Sequence, residues 1–137
     1  MAPLFHLAFP VTSLENARAF YGGLLGCAEG RSAADWVDFD FHGHQIVAHL
    51  APREAAVDTS VVDGEAVPVR HFGVILDPGD WRALAARLSA AGARFLIEPQ
   101  TRFSGQPGEQ ATMFLLDPSG NALEFKAFAD DAQVFAR

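Results

Sequence analysis

Phe114-Leu115-Leu116-Asp117-Pro118-Ser119-Gly120-Asn121-Ala122-Leu123-Glu124-Phe125 reads as one strand, a turn and a second strand. Asp, Pro, Ser, Gly and Asn in series are residues that fold a chain back on itself, and the apolar runs on either side suit a pleated sheet. Strands are therefore expected at Thr112 to Leu116 and at Ala122 to Phe128. One residue breaks the pattern. Glu124 stands between Leu123 and Phe125, where burying a carboxylate is costly unless a metal or a partner compensates it.

Working backwards, a strand is expected near Phe95 to Glu98 and a loop from Gln100 to Gln110. A helix starts at Asp77-Pro78-Gly79-Asp80, carries the apolar stripe Trp81, Leu84, Leu88 and Ala91, and stops at Gly92. Before it lies the strand Val69-Arg70-His71-Phe72-Gly73-Val74-Ile75. The same order occurs earlier in the chain. A strand at Leu4 to Phe9 contains His6, and Thr12 with Glu15 suits a capping box. Leu14, Ala17, Tyr21 and Leu24 form a helical stripe ended by Gly26. Strands follow near Ala28 to Gly30, Trp36 to Phe41 and Gln45 to Leu50, the last two joined through His42-Gly43-His44. The order is βαβββ twice, over about 4–50 and 69–128. Residues 51–68, with two prolines, five charged residues and no sustained period, read as a connector. The expectation is one α+β domain over residues 1–137, built from paired βαβββ modules.

The chain has 137 residues, half of them apolar, which suits one shared core better than two independent ones. A formal charge of -7 and the absence of any Lys/Arg cluster argue against a nucleic-acid partner. No apolar run approaches the roughly 18 residues that cross a bilayer, so no membrane partner is expected. Cys27 is the only cysteine, which excludes an intrachain disulfide and an all-thiolate metal site. Met1-Ala2-Pro3 leads directly into a strand without a signal-like segment, and a cytoplasmic location is expected.

His6 and His71 open the two copies, and His49 and Glu124 stand in their closing strands. A lone histidine among Leu and Phe is more often a hydrogen-bonded core residue than a ligand, and His42 and His44 belong to a hairpin end. Glu124 shifts that balance. Modules that pair about a pseudo-two-fold axis would bring such equivalent positions together. Imidazole and carboxylate donors suit Fe(II), Mn(II), Zn(II), Ni(II) or Co(II) at an open site.

These motifs resemble the vicinal oxygen chelate superfamily, which includes glyoxalase I, bleomycin-resistance proteins, fosfomycin-resistance enzymes and extradiol dioxygenases. The resemblance rests on Phe5-His6-Leu7, on Ala19-Phe20-Tyr21-Gly22-Gly23-Leu24-Leu25-Gly26, on His71-Phe72 and on the run from Phe114 to Phe125, and it covers essentially the whole chain. It implies the fold shared by glyoxalase, bleomycin-resistance protein and dihydroxybiphenyl dioxygenase. It also implies a divalent metal, Fe(II) first with Mn(II), Ni(II) and Zn(II) open, held by His6, His71 and Glu124 and chelating two neighbouring oxygens of a small substrate.

Glyoxalase-like members usually have a glutamate where His49 is read in this chain. His49 is accordingly expected as a fourth ligand or an acid/base, with Glu124 serving both metal and catalysis. The implied activity is dioxygenase-like. A glyoxalase-like lyase or isomerase, a fosfomycin-type transferase and a non-enzymatic resistance-type binder are alternatives, and a homodimer is expected. The substrate pocket is expected to draw on Trp36, Phe39, Phe103, Met113 and Phe114, with Arg102, Glu109 and Gln110 in the loop that covers it.

Overall fold

The computed structural model describes residues 2–52, 59–62 and 64–135. By its contacts the chain divides into two units, Met1–Ala56 with Asp117–Asn121, and Val57–Leu116 with Ala122–Arg137.

In the first unit, β1 (His6–Val11), α1 (Leu14–Ala17), β2 (Ala28–Ala33), β3 (Trp36–Phe41) and β4 (His44–Leu50) follow in order. The sheet order is β1-β4-β3-β2, with β1 parallel to β4 and the other pairs antiparallel. Ser13, rather than the expected Thr12, caps α1. Its Oγ accepts the Asn16 N–H at 3.1 Å. The Thr12 N–H donates instead to Ser119 Oγ at 2.9 Å.

After one α-turn the helix widens to π geometry over Arg18–Leu24, where Leu25 N–H reaches the Phe20 carbonyl. Gly22 and Gly23 sit in the widened part, and the change of pitch buries Phe20, Tyr21 and Leu25 while Leu24 stays half-buried. The rings of Phe9, Phe20 and Phe39 lie 5.2, 4.9 and 5.5 Å from Tyr21 and form the core under the helix. The Tyr21 hydroxyl donates to Asp117 Oδ2 at 2.7 Å. Asp117 also accepts from the N–H groups of Ser119 and Asn121 and from Asn121 Nδ2, so the turn quoted above is organised around one buried carboxylate. Burial and the neighbouring Asp117 charge push the Tyr21 hydroxyl well above its ordinary range.

The second unit opens with a hairpin of β5 (Thr59–Val62) and β6 (Glu65–Pro68), followed by β7 (His71–Ile75), α2 (Pro78–Ala90), β8 (Phe95–Arg102), β9 (Gln110–Leu116) and β10 (Ala122–Phe128). Its main sheet repeats the first in order, β7-β10-β9-β8, with β7 parallel to β10. The expected connector therefore contains a hairpin. Residues 53–58 and 63 of it lie outside the described residues, but the remainder carries two strands.

The strand expected to stop at Glu98 runs to Arg102. Trp81, Leu84, Ala85 and Leu88 of α2 are buried, and Trp81 Nε1 donates to the Phe125 carbonyl at 2.9 Å. Ala91 is the helix C-cap and is exposed, so it leaves the expected stripe. At Gly73 the chain has no room for a side chain, since a Cβ there would lie 1.5 Å from the Glu124 carbonyl oxygen. Gly73 thus lets β7 close on β10 beside Glu124. Among the described residues, no helix is long and apolar enough to cross a membrane.

Candidate functional site

Strand register determines which side chains share a face, because residues alternate along a strand and paired residues point the same way. In the second unit His71 pairs with Ala122, Gly73 with Glu124 and Ile75 with Lys126. On the next strand Glu124 pairs with Phe114 and Lys126 with Thr112. His71, Glu124, Lys126, Phe114 and Thr112 therefore occupy one face. Phe125, Met113 and Ala127 occupy the other, the side on which Trp81 of α2 packs.

The polar groups on the first face touch. His71 Nδ1 lies 2.7 Å from the Pro68 carbonyl oxygen. A carbonyl can only accept, so Nδ1 carries the proton and Nε2 is the nitrogen left to face the site. His71 Nε2 is 3.3 Å from Glu124 Oε1, and Thr112 Oγ1 donates to Glu124 Oε2 at 2.5 Å. The His71 ring meets Phe114 edge-on at 5.0 Å, which limits its rotation. Lys126 Nζ approaches Glu124 Oε1 at 3.9 Å.

Hydrogen bonding to Glu124 is the main cause of a raised His71 pKa, against the opposing effect of burial. For Glu124 the largest single influence, burial, acts upward. The hydrogen bonds from His71 and Thr112, with the charges of Lys126 and His71, outweigh it and leave the carboxyl below its ordinary value. Both shifts favour the charged forms, an imidazolium beside a carboxylate. His71 and Glu124 are the residues that would compete for a divalent cation against a proton, the chemistry such an imidazole–carboxylate pair suits.

In the first unit His6 pairs with Gln45, Ala8 with Val47 and Pro10 with His49. The residue matching Glu124 is therefore Val47, and His49 matches Lys126. The sequence expectation that His49 and Glu124 hold equivalent places is two residues out of register. His49 is exposed, pairs with Trp36 on β3, and stands four residue pairs along the sheet from His6, on the order of 13 Å.

His6 is anchored by a different group. Gln45 Nε2 donates to Asp38 Oδ2 at 3.0 Å, which orients the amide so that Oε1 faces His6 Nδ1 at 2.8 Å. An oxygen there requires the proton on Nδ1 and again leaves Nε2 as the free lone pair. Beside this chain is an open hollow of about 420 Å³ bordered by Leu4, Phe5, His6, Asp38, Phe39 and Gln45 among others. His44 Nδ1 accepts the Phe5 N–H at 3.0 Å, in keeping with a role at the hairpin end.

Among the described residues, no group of three or more His, Cys, Asp or Glu side chains is gathered closely enough to hold a metal ion. The pair that does meet is His71 and Glu124.

The expected pocket residues separate by face. Phe114 is buried with Val67 and Ile97, against Val62, and forms the floor beside His71. Met113 is buried on the helix side of the sheet and cannot reach that floor. Phe39 packs on Tyr21 and also borders the hollow next to His6. Trp36 is half-buried beside His49.

Glu109 and Gln110 border a separate hollow of about 240 Å³ with Trp81, Arg82 and Phe128. Glu109 also closes its own loop by accepting the Gly105 N–H at 2.8 Å. Phe103 is half-buried with a left-handed φ of 54°. Arg102 is buried at the end of β8.

Sequence reading missed Thr112, Gln45, Asp38 and the Pro68 carbonyl. Alternation could have found Thr112, which lies one pleat from Phe114 on the strand opposite Glu124. Gln45 reaches His6 only through the register of β1 on β4, Asp38 reaches Gln45 across the β3–β4 hairpin, and the Pro68 carbonyl lies three residues before His71, where only the local backbone path turns it toward the ring.

With this geometry the chain can be compared with known proteins. Residues 4–125 match the Glyoxalase/Bleomycin resistance protein/Dioxygenase superfamily, and the chain belongs to that family. A crystal structure of a glyoxalase/bleomycin resistance protein/dioxygenase from Alicyclobacillus acidocaldarius is 36% identical with a TM-score of 0.81, covering 97% of this chain and 96% of that one. The fold alone is shared with the fosfomycin resistance protein FosX from Listeria monocytogenes, at 16% identity, TM-score 0.69 and coverage of 97% and 98%. It is likewise shared with a lactoylglutathione lyase from Agrobacterium tumefaciens, at 16% identity, TM-score 0.69 and coverage of 100% and 98%. No curated protein matches the chain.

Proposed function

We propose that this chain is a metal-dependent enzyme acting on a small substrate through two neighbouring oxygens, with dioxygenase-like chemistry. The observation that carries the reading is the His71–Glu124 pair, in which the ring is held through Nδ1 by the Pro68 carbonyl and the carboxylate through Oε2 by Thr112. One nitrogen and one oxygen are left oriented toward the same point. His6, with Nε2 freed in the same way by Gln45, is the further donor. Two imidazoles and one carboxylate form a donor set suited to Fe(II), with Mn(II), Ni(II) and Zn(II) as other occupants. A divalent ion held there would chelate the substrate oxygens and lower their pKa.

The protein's own groups supply orientation. Thr112 holds Glu124 against rotation, Phe114 backs the His71 ring, and the Gln45–Asp38 chain fixes the His6 tautomer. Val47 at the place matching Glu124 supports the oxygenase reading over a glyoxalase-like one, because an apolar side chain there carries no proton between substrate carbons. The working form we take to be a homodimer in a reducing cytoplasm, the exposed Leu4 and Phe5 being apolar surface that a second copy can cover.

The test is anaerobic loading with Fe(II), followed by oxygen uptake with catechol. Ferrous-dependent uptake, absent with Zn(II), is expected. Metal retention without uptake would move the chemistry to a lyase or isomerase, and failure to retain any divalent metal would leave a small-molecule binding protein.

A further inference from the structure

Arg102 is 3% exposed at the end of β8, on the face of the sheet that carries Glu124 and Thr112. Its Nη1 donates to the Val62 carbonyl at 3.1 Å, beneath the β5–β6 hairpin. Its Nε and Nη2 are buried and have no hydrogen-bond partner among the described residues. Glu65, the carboxylate on the neighbouring strand of that hairpin, is engaged by Gln100 Nε2 at 2.5 Å. A guanidinium is a permanent cation, and burying one with a single carbonyl for company is strongly unfavourable unless an anion joins it. The two unpartnered nitrogens are also adjacent. Nε–H and Nη2–H form one edge of the guanidinium, a fork whose spacing matches the two oxygens of a carboxylate.

We propose that the unpartnered edge of Arg102 binds a carboxylate of the substrate, so that the enzyme acts on an acid whose carboxylate lies at the opposite end from its neighbouring oxygens. The position of the carboxylate follows from the sheet. Arg102 pairs with Gln110, and Gln110 with Phe128, which places Arg102 two strands across and four residues along from Glu124. The two backbone positions are on the order of 15 Å apart. That separation suits a carboxylate set apart from the chelating oxygens better than one adjacent to them. The chain's net charge of -7 disfavours anions elsewhere on the surface, so an acid that binds needs a local cation.

This inference rests on the metal reading for the oxygen end of the ligand but not for the carboxylate end, and three probes separate the two. 3-Phenylpropanoate carries only the carboxylate, catechol only the neighbouring oxygens, and 3-(3,4-dihydroxyphenyl)propanoate both. By calorimetry, 3-phenylpropanoate is expected to bind the metal-free wild-type protein, and Arg102→Gln and Arg102→Lys to weaken it at least tenfold. Catechol binding to the metal-loaded protein should be unchanged by either substitution.

In the wild-type chain, which needs no variant to fold, the Arg102 Nε–H resonance should shift on adding 3-phenylpropanoate. Equal affinity of wild type and a folded Arg102→Gln for both acids would overturn the proposal, as would an Nε–H resonance that stays fixed at saturating acid. Loss of metal and catechol binding with the 3-phenylpropanoate arm intact would overturn the metal reading and leave the carboxylate site standing.

Discussion

The two sheets have the same strand order and the same parallel pairing, yet they hold their histidines by different chemistry. In the second unit His71 is tied to a backbone carbonyl and faces a carboxylate steadied by a threonine. In the first unit His6 is tied to an amide that is itself oriented by Asp38, and the place of the carboxylate is taken by Val47. Gln45 occupies the position of Ala122, and Asp38 that of Phe114. In both units Nδ1 is the nitrogen that is tied down, while the group that ties it differs. The second unit carries an imidazole–carboxylate pair, and the first an imidazole bonded to an amide.

Removing Glu124 should break this asymmetry most completely. Glu124→Ala is expected to lower metal affinity by more than about 10²-fold, beyond the usual effect of losing an outer partner. Elemental analysis of the folded variant checks it, and full occupancy would remove Glu124 from the site.

The next largest effect is on pH. His71 is raised and Glu124 lowered, so in the metal-free protein the carboxylate's contribution to stability is present above about 4.5 and lost as pH falls through its lowered folded value. The histidine's contribution is complete below about 6.5 and lost as pH rises through its raised folded value. A metal ion bound through His71 would compete with protonation of the ring. Affinity should therefore rise about tenfold per pH unit until His71's raised value is passed, then level off. A competition titration against a chelator across that range checks it, and a flat profile would mean that His71 is not a ligand.

The outer partners come next. Thr112→Val keeps the shape and removes the hydroxyl that steadies Glu124, so metal affinity should fall by about 10-fold to 100-fold. Gln45→Leu should cost about tenfold by releasing the His6 ring. If Gln45→Leu has the larger effect, the first unit rather than the second dominates metal binding.

The smallest effect is expected at His49. His49→Gln should leave metal content and turnover within about twofold, because strand register aligns His49 with Lys126 and the side chain is exposed. A fall of about 10²-fold in turnover with metal retained would instead make it the acid/base that sequence reading expected.

Much of the architecture was legible from local patterns. Gly92 after the stripe of α2, the Asp117 to Asn121 turn and the alternation of Trp36 to Phe41 each act within a few residues, and the elements formed where those patterns placed them. The first helix was less legible, since a widening to π geometry leaves an apolar stripe almost intact while changing which residues turn inward. The hairpin inside the expected connector was missed because its two short strands stabilise each other and the floor formed by Phe114 and Ile97, and neither has a strong pattern alone.

The sequence by itself determined that the chain folds as two βαβββ units and that Glu124 is an anomaly in an apolar strand, because both follow from the order of residues along the chain. Only the tertiary structure decided that Val47 rather than His49 stands opposite that anomaly. It also decided that Thr112 bonds Glu124, Gln45 bonds His6 and the Pro68 carbonyl bonds His71, and that Arg102 is buried with Nε and Nη2 unpartnered among the described residues. Register between β1 and β4, distant in sequence, decides the place of Val47 and the reach of Gln45, and a shift of two residues changes the partner while leaving the face, and so the hydrophobic pattern, the same.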